Sequence, residues 1–148
     1  MKFLQLTTNR LVKRLRWVMV CVILVDTVNT LLGQPKSYWQ HPVTAIEHNE
    51  FMRLFVTQGF LPYVLWSLLY ITGAFVVASI LPKPFALITL FSFILGHYFG
   101  ASTWWVYHWG FGQQGSIIYG ILLAVVFVLC GVGGDEPPRS VNPNNHNT

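Results

Sequence analysis

The sequence predicts an all-α integral membrane protein, a four-helix bundle with a short amphipathic helix between its first and second spans. Three observations predict this class: only 9% of the 148 residues are charged, 53% are hydrophobic, and the mean hydropathy is +0.51. Soluble domains carry about 25% charged residues. A chain this poor in charge could not cover a soluble surface, so lipid must surround much of it.

The first span is expected over residues 15–33, after a basic lead at residues 1–14. It is close to the lower limit of the roughly 20 apolar residues that cross about 30 Å of hydrocarbon. No small-residue cleavage site ends it, so we interpret it as a retained span and not as a signal peptide. Its second half is polar on one face, because Asp26, Asn29 and Thr30 stand at helical spacing.

The loop that follows contains the features of a short surface helix. Pro35 and Pro42 exclude a helix directly after the first span. Thr44 stands three residues before Glu47, which is the spacing of a capping box. Apolar and charged residues then recur with helical periodicity. We therefore predict an amphipathic helix over residues 45–57, lying at the membrane surface or against the spans.

Three further apolar runs predict three more spans, over residues 61–81, 85–108 and 116–132. Each is long enough to cross the hydrocarbon layer or nearly so. Glycines end the last one, which closes a single membrane domain at 15–134. The tail at residues 135–148 is rich in Pro and Asn and is predicted to be disordered.

The basic residues indicate how the chain is oriented. Seven of the nine Lys and Arg fall in the lead or just beyond it, in the tail or in the second loop, and they are Lys2, Arg10, Lys13, Arg14, Arg16, Lys83 and Arg139. The positive-inside rule then predicts that both termini are cytoplasmic, and we expect a bacterial inner membrane. Topology also explains the net charge of +4, so the charge does not indicate a nucleic-acid partner.

Two ionisable residues, Asp26 and His97, lie inside predicted spans. Such a group costs on the order of 2.5–3.5 kcal/mol on insertion scales, which makes each one a hypothesis of a functional site. Counted from Leu15 and from Phe85 at about 1.5 Å per residue, both lie roughly 17 Å into the membrane from the same side. We predict that they face each other, directly or through a water. Either a structural hydrogen bond that fixes helix register or a working proton, metal or cofactor site explains the pair.

Small residues surround His97 on the third span. Gly96 and Gly100 form a GxxxG pattern, which lets another helix approach closely, so we expect this face to pack against another membrane subunit or a second copy. The same small residues would also admit the flat ring of a haem or chlorophyll-type pigment, with His97 as its axial ligand. Outside the spans, Glu47 and His48 could bind a divalent metal, although solvation of a helix surface explains them as well.

Asp26 and Thr30 are followed by Gly33 and then by Glu47-x-Asn49, which opens a helix that ends in Gly59. This pattern resembles that of a known family. That family consists of small prokaryotic multi-span proteins of unknown function, with an aspartate and a threonine in the first span and a Glu-x-Asn-Pro element after it. The likeness covers about residues 20–80, and this chain has Glu50 where the family has proline. The resemblance implies no activity, but it does imply a polar cluster that comprises Asp26, Thr30, Glu47 and Asn49.

No motif in the sequence indicates an enzyme. There is no nucleophile elbow, no phosphate-binding glycine loop and no HExxH pair. We therefore favour an accessory or scaffolding subunit of a membrane complex, which acts through packing. A second interpretation is a polar site in which Asp26 and His97, with Glu47 and His48 outside, perform proton, metal or small-solute chemistry. A third is a pigment or haem bound through His97.

Overall fold

The structure is a computed structural model that describes residues 10–108, 110 and 112–132. Within these residues the chain forms five α-helices and no strand, and the helices are α1 Arg10–Leu32, α2 Glu50–Val56, α3 Phe60–Ile80, α4 Lys83–Tyr107 and α5 Gly112–Val132. Helices α1, α3, α4 and α5 are long and apolar enough to cross a membrane. The predicted class, an all-α protein with four spans and a short intervening helix, is confirmed.

The four long helices are not arranged as a square. Helices α1 and α4 make the most extensive contact, and each of them also contacts both α3 and α5. Since α3 and α5 make at most marginal contact with each other, they flank the α1–α4 pair on opposite sides. The seam between α1 and α4 is therefore the centre of the protein, and a side chain on it can reach either flanking helix.

The half of the bundle nearer the first residue of α1 is filled by an apolar core. Leu15, Met19 and Ile23 recur every four residues, so they share one face of α1, and all three are buried. They pack with Leu90 and Ile94 of α4, which are also fully buried. This core closes the bundle at one end.

α1 begins before the predicted start at residue 15, because Arg10 and Lys13 are already helical. Straight-chain basic residues are good helix formers, so the helix extends beyond its apolar stretch. The remainder of the basic lead, residues 1–9, and the predicted disordered tail at 135–148 lie outside the described residues. The other three spans lie within four residues of the predicted bounds.

Arg16 lies inside the bundle, whereas Lys13 and Arg14 on the preceding turn of α1 are exposed. Its side chain is buried, its Nη1 donates a hydrogen bond to the Ser79 hydroxyl, and its guanidinium lies 5.1 Å from the centre of the Phe75 ring. Both partners belong to α3. The long Arg side chain thus joins α1 to α3 through a hydrogen bond and a cation–π contact.

The connector, which we define as residues 33–59, departs from the prediction. A helix over 45–57 with a cap at Thr44 was expected, but Pro42–Thr44 is a short 3₁₀ turn and the helix begins only at Glu50. The Thr44 hydroxyl donates to the His41 carbonyl at 2.8 Å. That hydroxyl is turned back toward the 3₁₀ segment, so the predicted capping box does not form.

Asn49 is the residue that caps α2. Its side-chain Oδ1 accepts hydrogen bonds from the backbone N–H groups of Phe51 and Met52, at 3.0 and 3.2 Å. The Glu47 carboxylate in turn accepts the backbone N–H of Asn49 at 2.8 Å. Asn is among the best capping residues because its short side chain reaches the unpaired N–H groups of the first turn. The cap therefore fixes Glu47 beside the start of α2.

α2 is held against α3 by aromatic rings. The ring of Phe55 stacks on that of Trp66 with centres 4.2 Å apart and planes 1° from parallel. Gly59 joins the two helices with a φ of 115°, a conformation that side-chain-bearing residues rarely adopt. The connector therefore folds back over the end of the bundle that the apolar core leaves open.

Candidate functional site

Asp26 of α1 and His97 of α4 meet at the seam between the two central helices. The Nδ1 atom of His97 lies 2.7 Å from Oδ2 of Asp26. His97 sits near the middle of α4 and Asp26 lies in the second half of α1, and both helices are long and apolar enough to span the membrane. The contact that the depth count predicted is direct, with no bridging water needed.

Tyr70 of α3 completes the array. Its hydroxyl lies 3.2 Å from Nε2 of His97, so both nitrogens of the imidazole are engaged. An ionised Asp26 can only accept a hydrogen bond, which assigns the proton of a neutral imidazole to Nδ1. Nε2 then accepts the hydrogen bond that the Tyr70 hydroxyl donates. This chain of donors and acceptors can pass a proton between the hydroxyl and the carboxylate.

A cavity of about 570 Å³ opens beside this array. Asp26, His97 and Tyr70 line it, together with residues of the connector that include Glu47 and His48. It therefore extends from the middle of the spans to the connector end of the bundle. The Asp26 and His97 side chains remain 17% and 18% exposed, so a molecule in the cavity can touch both.

The connector positions Glu47 at the mouth of this cavity through Gln34, a buried side chain at the end of α1. The Gln34 amide donates to the Ile46 carbonyl at 2.9 Å and accepts the Ile46 N–H at 2.8 Å, as a neighbouring strand would. It also donates to the Thr30 carbonyl at 2.8 Å. Two-sided pairing with Ile46 fixes the backbone directly before Glu47.

Glu47 lies outside the spans but is partly withdrawn from water. Burial is the largest influence on the carboxyl and raises its pKa above the usual value of 4.5. The N–H of Asn49 opposes this rise, and the charge of Asp26 adds to it. The charge of Asp26 therefore reaches Glu47 across the cavity and favours the protonated form of the Glu47 carboxyl group.

The charged lining of the cavity has one sign. Asp26 and Glu47 are its two carboxylates, and none of the described lining residues is Lys or Arg. Its walls are partly aromatic, with Tyr63, Phe93 and Trp104 among them. The cavity therefore offers two acidic side chains and several aromatic rings, and both kinds of group attract cations.

The other predicted site residues, which are the polar-cluster members Asn29, Thr30 and Asn49 and the metal candidate His48, separate into two groups. Thr30 lines the cavity and is buried, and His48 lines its mouth and is exposed. Asn29 is not part of the lining, and its buried Nδ2 has no hydrogen-bond partner among the described residues. Asn49 lines the cavity, but its side-chain oxygen is committed to the cap of α2.

The two glycines of the GxxxG pattern have different surroundings. A Cβ built on Gly100 would lie 2.8 Å from Oδ2 of Asp26, so this glycine gives the carboxylate its space. A Cβ on Gly96 would have no described atom within 4 Å outside its own helix. Gly100 thus serves a contact inside the chain, and only Gly96 remains free for a second subunit or a second copy. Packing of another chain on this face stays a prediction.

Metal and pigment binding fit the geometry less well. Within the described part of the chain, no three His, Cys, Asp or Glu side chains gather as a metal site, so Glu47 and His48 have no third protein ligand there. A haem or pigment needs one free imidazole nitrogen, whereas Asp26 and Tyr70 engage both nitrogens of His97. Both kinds of binding stay predictions.

Sequence reasoning missed Tyr70 and Gln34. The depth count covers only side chains that ionise near neutral pH, although Tyr70 stands at the middle of α3 and the same count places it level with His97. Gln34 carried no signal, since its role depends on the backbone of a loop twelve residues later.

No protein-family model, curated protein or solved structure matches this chain. The likeness to small prokaryotic multi-span proteins stays a prediction. Function must therefore be argued from the array of Asp26, His97 and Tyr70 and from the cavity beside it.

Proposed function

We propose that this multi-pass membrane protein binds a small polar solute in its cavity and exchanges a proton with it through Asp26, His97 and Tyr70. The solute enters from the connector end, past Glu47. The proposal assigns binding and proton exchange and includes no bond-making step in the solute.

One observation carries this proposal: the hydrogen-bonded array lies on the wall of a cavity. A pair that only fixes helix register is best placed in a closed seam, where water cannot compete for it. Here Asp26 and His97 keep 17% and 18% of their surfaces exposed to a space of about 570 Å³. Ionisable groups within spans are costly, and their access to a cavity supports a role in chemistry.

The apolar core favours the interpretation of the cavity as a binding site and not as part of an open channel. Below the cavity, Met19, Ile71 and Leu90 are buried in one contiguous cluster that spans α1, α3 and α4. The described side chains of this cluster are apolar, so they provide no hydrogen-bonding groups to a proton or solute at His97. Exchange is therefore expected on the connector side in this conformation, and passage to the other side requires the helices to rearrange.

Reaction with a hydrophobic carbodiimide tests the proposal, because such a reagent modifies carboxyl groups that are protonated and reachable from lipid or a cavity. We expect an adduct on Asp26 in lipid vesicles, found by mass spectrometry, with a yield that rises as the pH falls. Glu50, exposed at the start of α2, is the internal control and should react with a water-soluble carbodiimide instead.

Asp26→Asn separates the functional from the structural interpretation. The adduct should disappear while the protein stays folded in mild detergent. If Asp26 never reacts at any pH at which the protein is folded, and Asp26→Asn only lowers thermal stability, the pair is structural and the proposal fails.

The scaffolding role expected from the sequence stays a prediction. The exposed side chains of α5, such as Ile117, Ile121 and Val128, suit lipid as well as another helix, so they favour neither. A single monodisperse chain after purification in mild detergent, with no partner, would count against scaffolding and leave the cavity unaffected.

We also propose that the connector faces outward from a bacterial inner membrane and that both termini are cytoplasmic. Support comes from the basic residues: Arg10, Lys13 and Lys83 lie at one end of the bundle, against Lys36 and Arg53 at the connector end. Labelling of His48→Cys by a membrane-impermeant maleimide in intact cells tests this. Labelling only after lysis would reverse the orientation.

A further inference from the structure

The cavity lacks a wall on one side. Ser92, Gly96, Phe99 and Thr103 of α4 line it, and their spacing of four, three and four residues places them on one helical face. All four are also exposed, Phe99 by 65%. We call these four residues the α4 stripe.

The opening lies between α3 and α4 at the depth of the spans. Gly96, at the middle of the stripe, has no described atom within 4 Å of a built Cβ. Phe51 of α2 lines the cavity at the edge nearest the connector and is 52% exposed. Because the outer surfaces of these spans face lipid, the cavity joins the hydrocarbon layer through this gap. A bound molecule can therefore extend an apolar part into the bilayer.

The charges inside the cavity select the head of such a molecule. Asp26 and Glu47 are not balanced by any Lys or Arg in the described lining. Tyr63, Tyr70 and Trp104 present rings to the same space, and a cation over an aromatic face gains further attraction where water is excluded. An anionic head would instead meet two carboxylates.

We infer that the solute of this site is a small amphiphilic organic cation, with an amine or quaternary ammonium head between Asp26 and Glu47 and an apolar tail along the α4 stripe. This inference rests on the proposed function and names its substrate class. Cation and proton compete for the same carboxylates, so each displaces the other. The titratable groups that face the head are Asp26, Glu47, His48, Tyr63, Tyr70 and His97.

Hexyltrimethylammonium is a suitable probe, since it carries a fixed charge and a short tail. Its binding to the protein in phosphatidylcholine nanodiscs can be measured by calorimetry, with partition into empty nanodiscs subtracted. We expect saturable binding, weaker binding of tetramethylammonium, which lacks the tail, and no binding of hexanoate, which reverses the charge. Equal binding of hexanoate would overturn the inference.

Variants locate the head and the tail separately. Asp26→Asn and Glu47→Gln should each weaken binding by about tenfold, which corresponds to about 1.4 kcal/mol. Glu50→Gln, the same change on a connector carboxylate outside the cavity, should leave the affinity unchanged. Gly96→Leu, which places a side chain on the α4 stripe, should weaken the binding of hexyltrimethylammonium and leave the affinity for tetramethylammonium unchanged. Unchanged affinity in Asp26→Asn or in Gly96→Leu would contradict the placement of head or tail.

Carbodiimide labelling separates failure of this inference from failure of the proposed function. Saturating hexyltrimethylammonium should protect Asp26 from the reagent. If Asp26 reacts as proposed and the cation neither binds nor protects, the proton-exchange function stands and the substrate class is wrong. If Asp26 does not react even without the cation, the proposed function itself fails.

Discussion

Gly100 lies directly against the carboxylate of Asp26. A Cβ on this glycine would stand 2.8 Å from Oδ2 and 2.9 Å from Oδ1, closer than such atoms approach in proteins. Gly100 belongs to α4, as does His97, and it lies about one turn beyond that histidine. The contact between Asp26 of α1 and His97 therefore depends on the absence of a side chain at Gly100.

Gly100→Ala should displace Asp26 from His97 and destabilise the protein. Overpacking of this kind costs about 1–3 kcal/mol. Gly96→Ala is the matched control, because its new methyl meets nothing within 4 Å, and replacing a helical Gly by Ala favours folding by roughly 0.5–1 kcal/mol. Reversible unfolding in mixed micelles of mild detergent and SDS measures both. Equal losses in the two variants would refute the close approach.

Ser79→Ala should remove the hydrogen-bond acceptor of Arg16 and loosen the contact between α1 and α3. Hydrogen bonds to charged groups contribute about 1.5–3 kcal/mol, so we expect a loss of about 1–3 kcal/mol in the free energy of unfolding. Among the contacts with described residues, the guanidinium would keep the one with the Phe75 ring.

Thr72→Ala provides the comparison for Ser79. The Ser79 hydroxyl donates to the Phe75 carbonyl at 2.6 Å, and the Thr72 hydroxyl likewise donates to the Leu68 carbonyl at 2.8 Å. Thr72 is exposed, however, and within the described part of the chain its hydroxyl makes no hydrogen bond to a charged group. Its removal should change the free energy of unfolding by about 0.5 kcal/mol or less. If Thr72→Ala costs as much as Ser79→Ala, Arg16 contributes nothing through its hydrogen bond.

Glu47 should make the stability of the connector depend on pH. Burial, the largest influence, raises the pKa of its carboxyl above 4.5, so the folded protein binds this proton more tightly than the unfolded chain does. Its contribution to stability is therefore fully present below about pH 4.5 and is lost as the pH rises through the folded pKa. Unfolding of the connector, followed by hydrogen exchange across this range, measures the effect.

Glu47→Gln should flatten that pH dependence, since the amide cannot ionise but can still accept the Asn49 N–H. Glu50→Gln removes a carboxylate from the first turn of α2 without touching the cavity, so the pH dependence should persist in it. If the stability of the connector still depends on pH in Glu47→Gln, another group is responsible for that dependence.

Asn49→Ala should unfold the first turn of α2. The loss of both hydrogen bonds to the Phe51 and Met52 N–H groups costs about 0.5–2 kcal/mol. Asn49→Asp keeps an acceptor in the same place and should retain most of the stability. Faster hydrogen exchange of these two amides in the alanine variant alone is the expected result, and equal exchange in both variants would exclude a capping role.

The sequence predicted the spans well because an apolar helix in lipid has no structural alternative to compete with it. The level of Asp26 and His97 could likewise be counted from helix rise. The connector was harder, because Thr44 and Asn49 both qualify as caps by residue type. The choice between them depends on the 3₁₀ turn around Pro42 and on the two hydrogen bonds between the Gln34 side chain and the Ile46 backbone. Neither feature can be predicted from the neighbouring residues in the sequence.

The array also shows what a depth count cannot provide. It gives the level of a side chain but not the direction in which it points, so the prediction could not distinguish a closed seam from a cavity wall. That distinction depends on α3, which contributes Tyr70 and leaves the α4 stripe uncovered. From the sequence alone, a glycine such as Gly96 fits a site of close helix packing and an open cavity wall equally well.

The 71 residues that separate Asp26 from His97 have a consequence for biogenesis. At about 5–20 residues per second, the ribosome completes the first span several seconds before the fourth helix exists. Throughout that interval the nascent protein holds the Asp26 carboxyl group in or near lipid without the His97 imidazole that later pairs with it. The insertion machinery must keep this carboxyl group away from lipid or insert it in its uncharged form. The first helix can take its final position only after His97 has been translated.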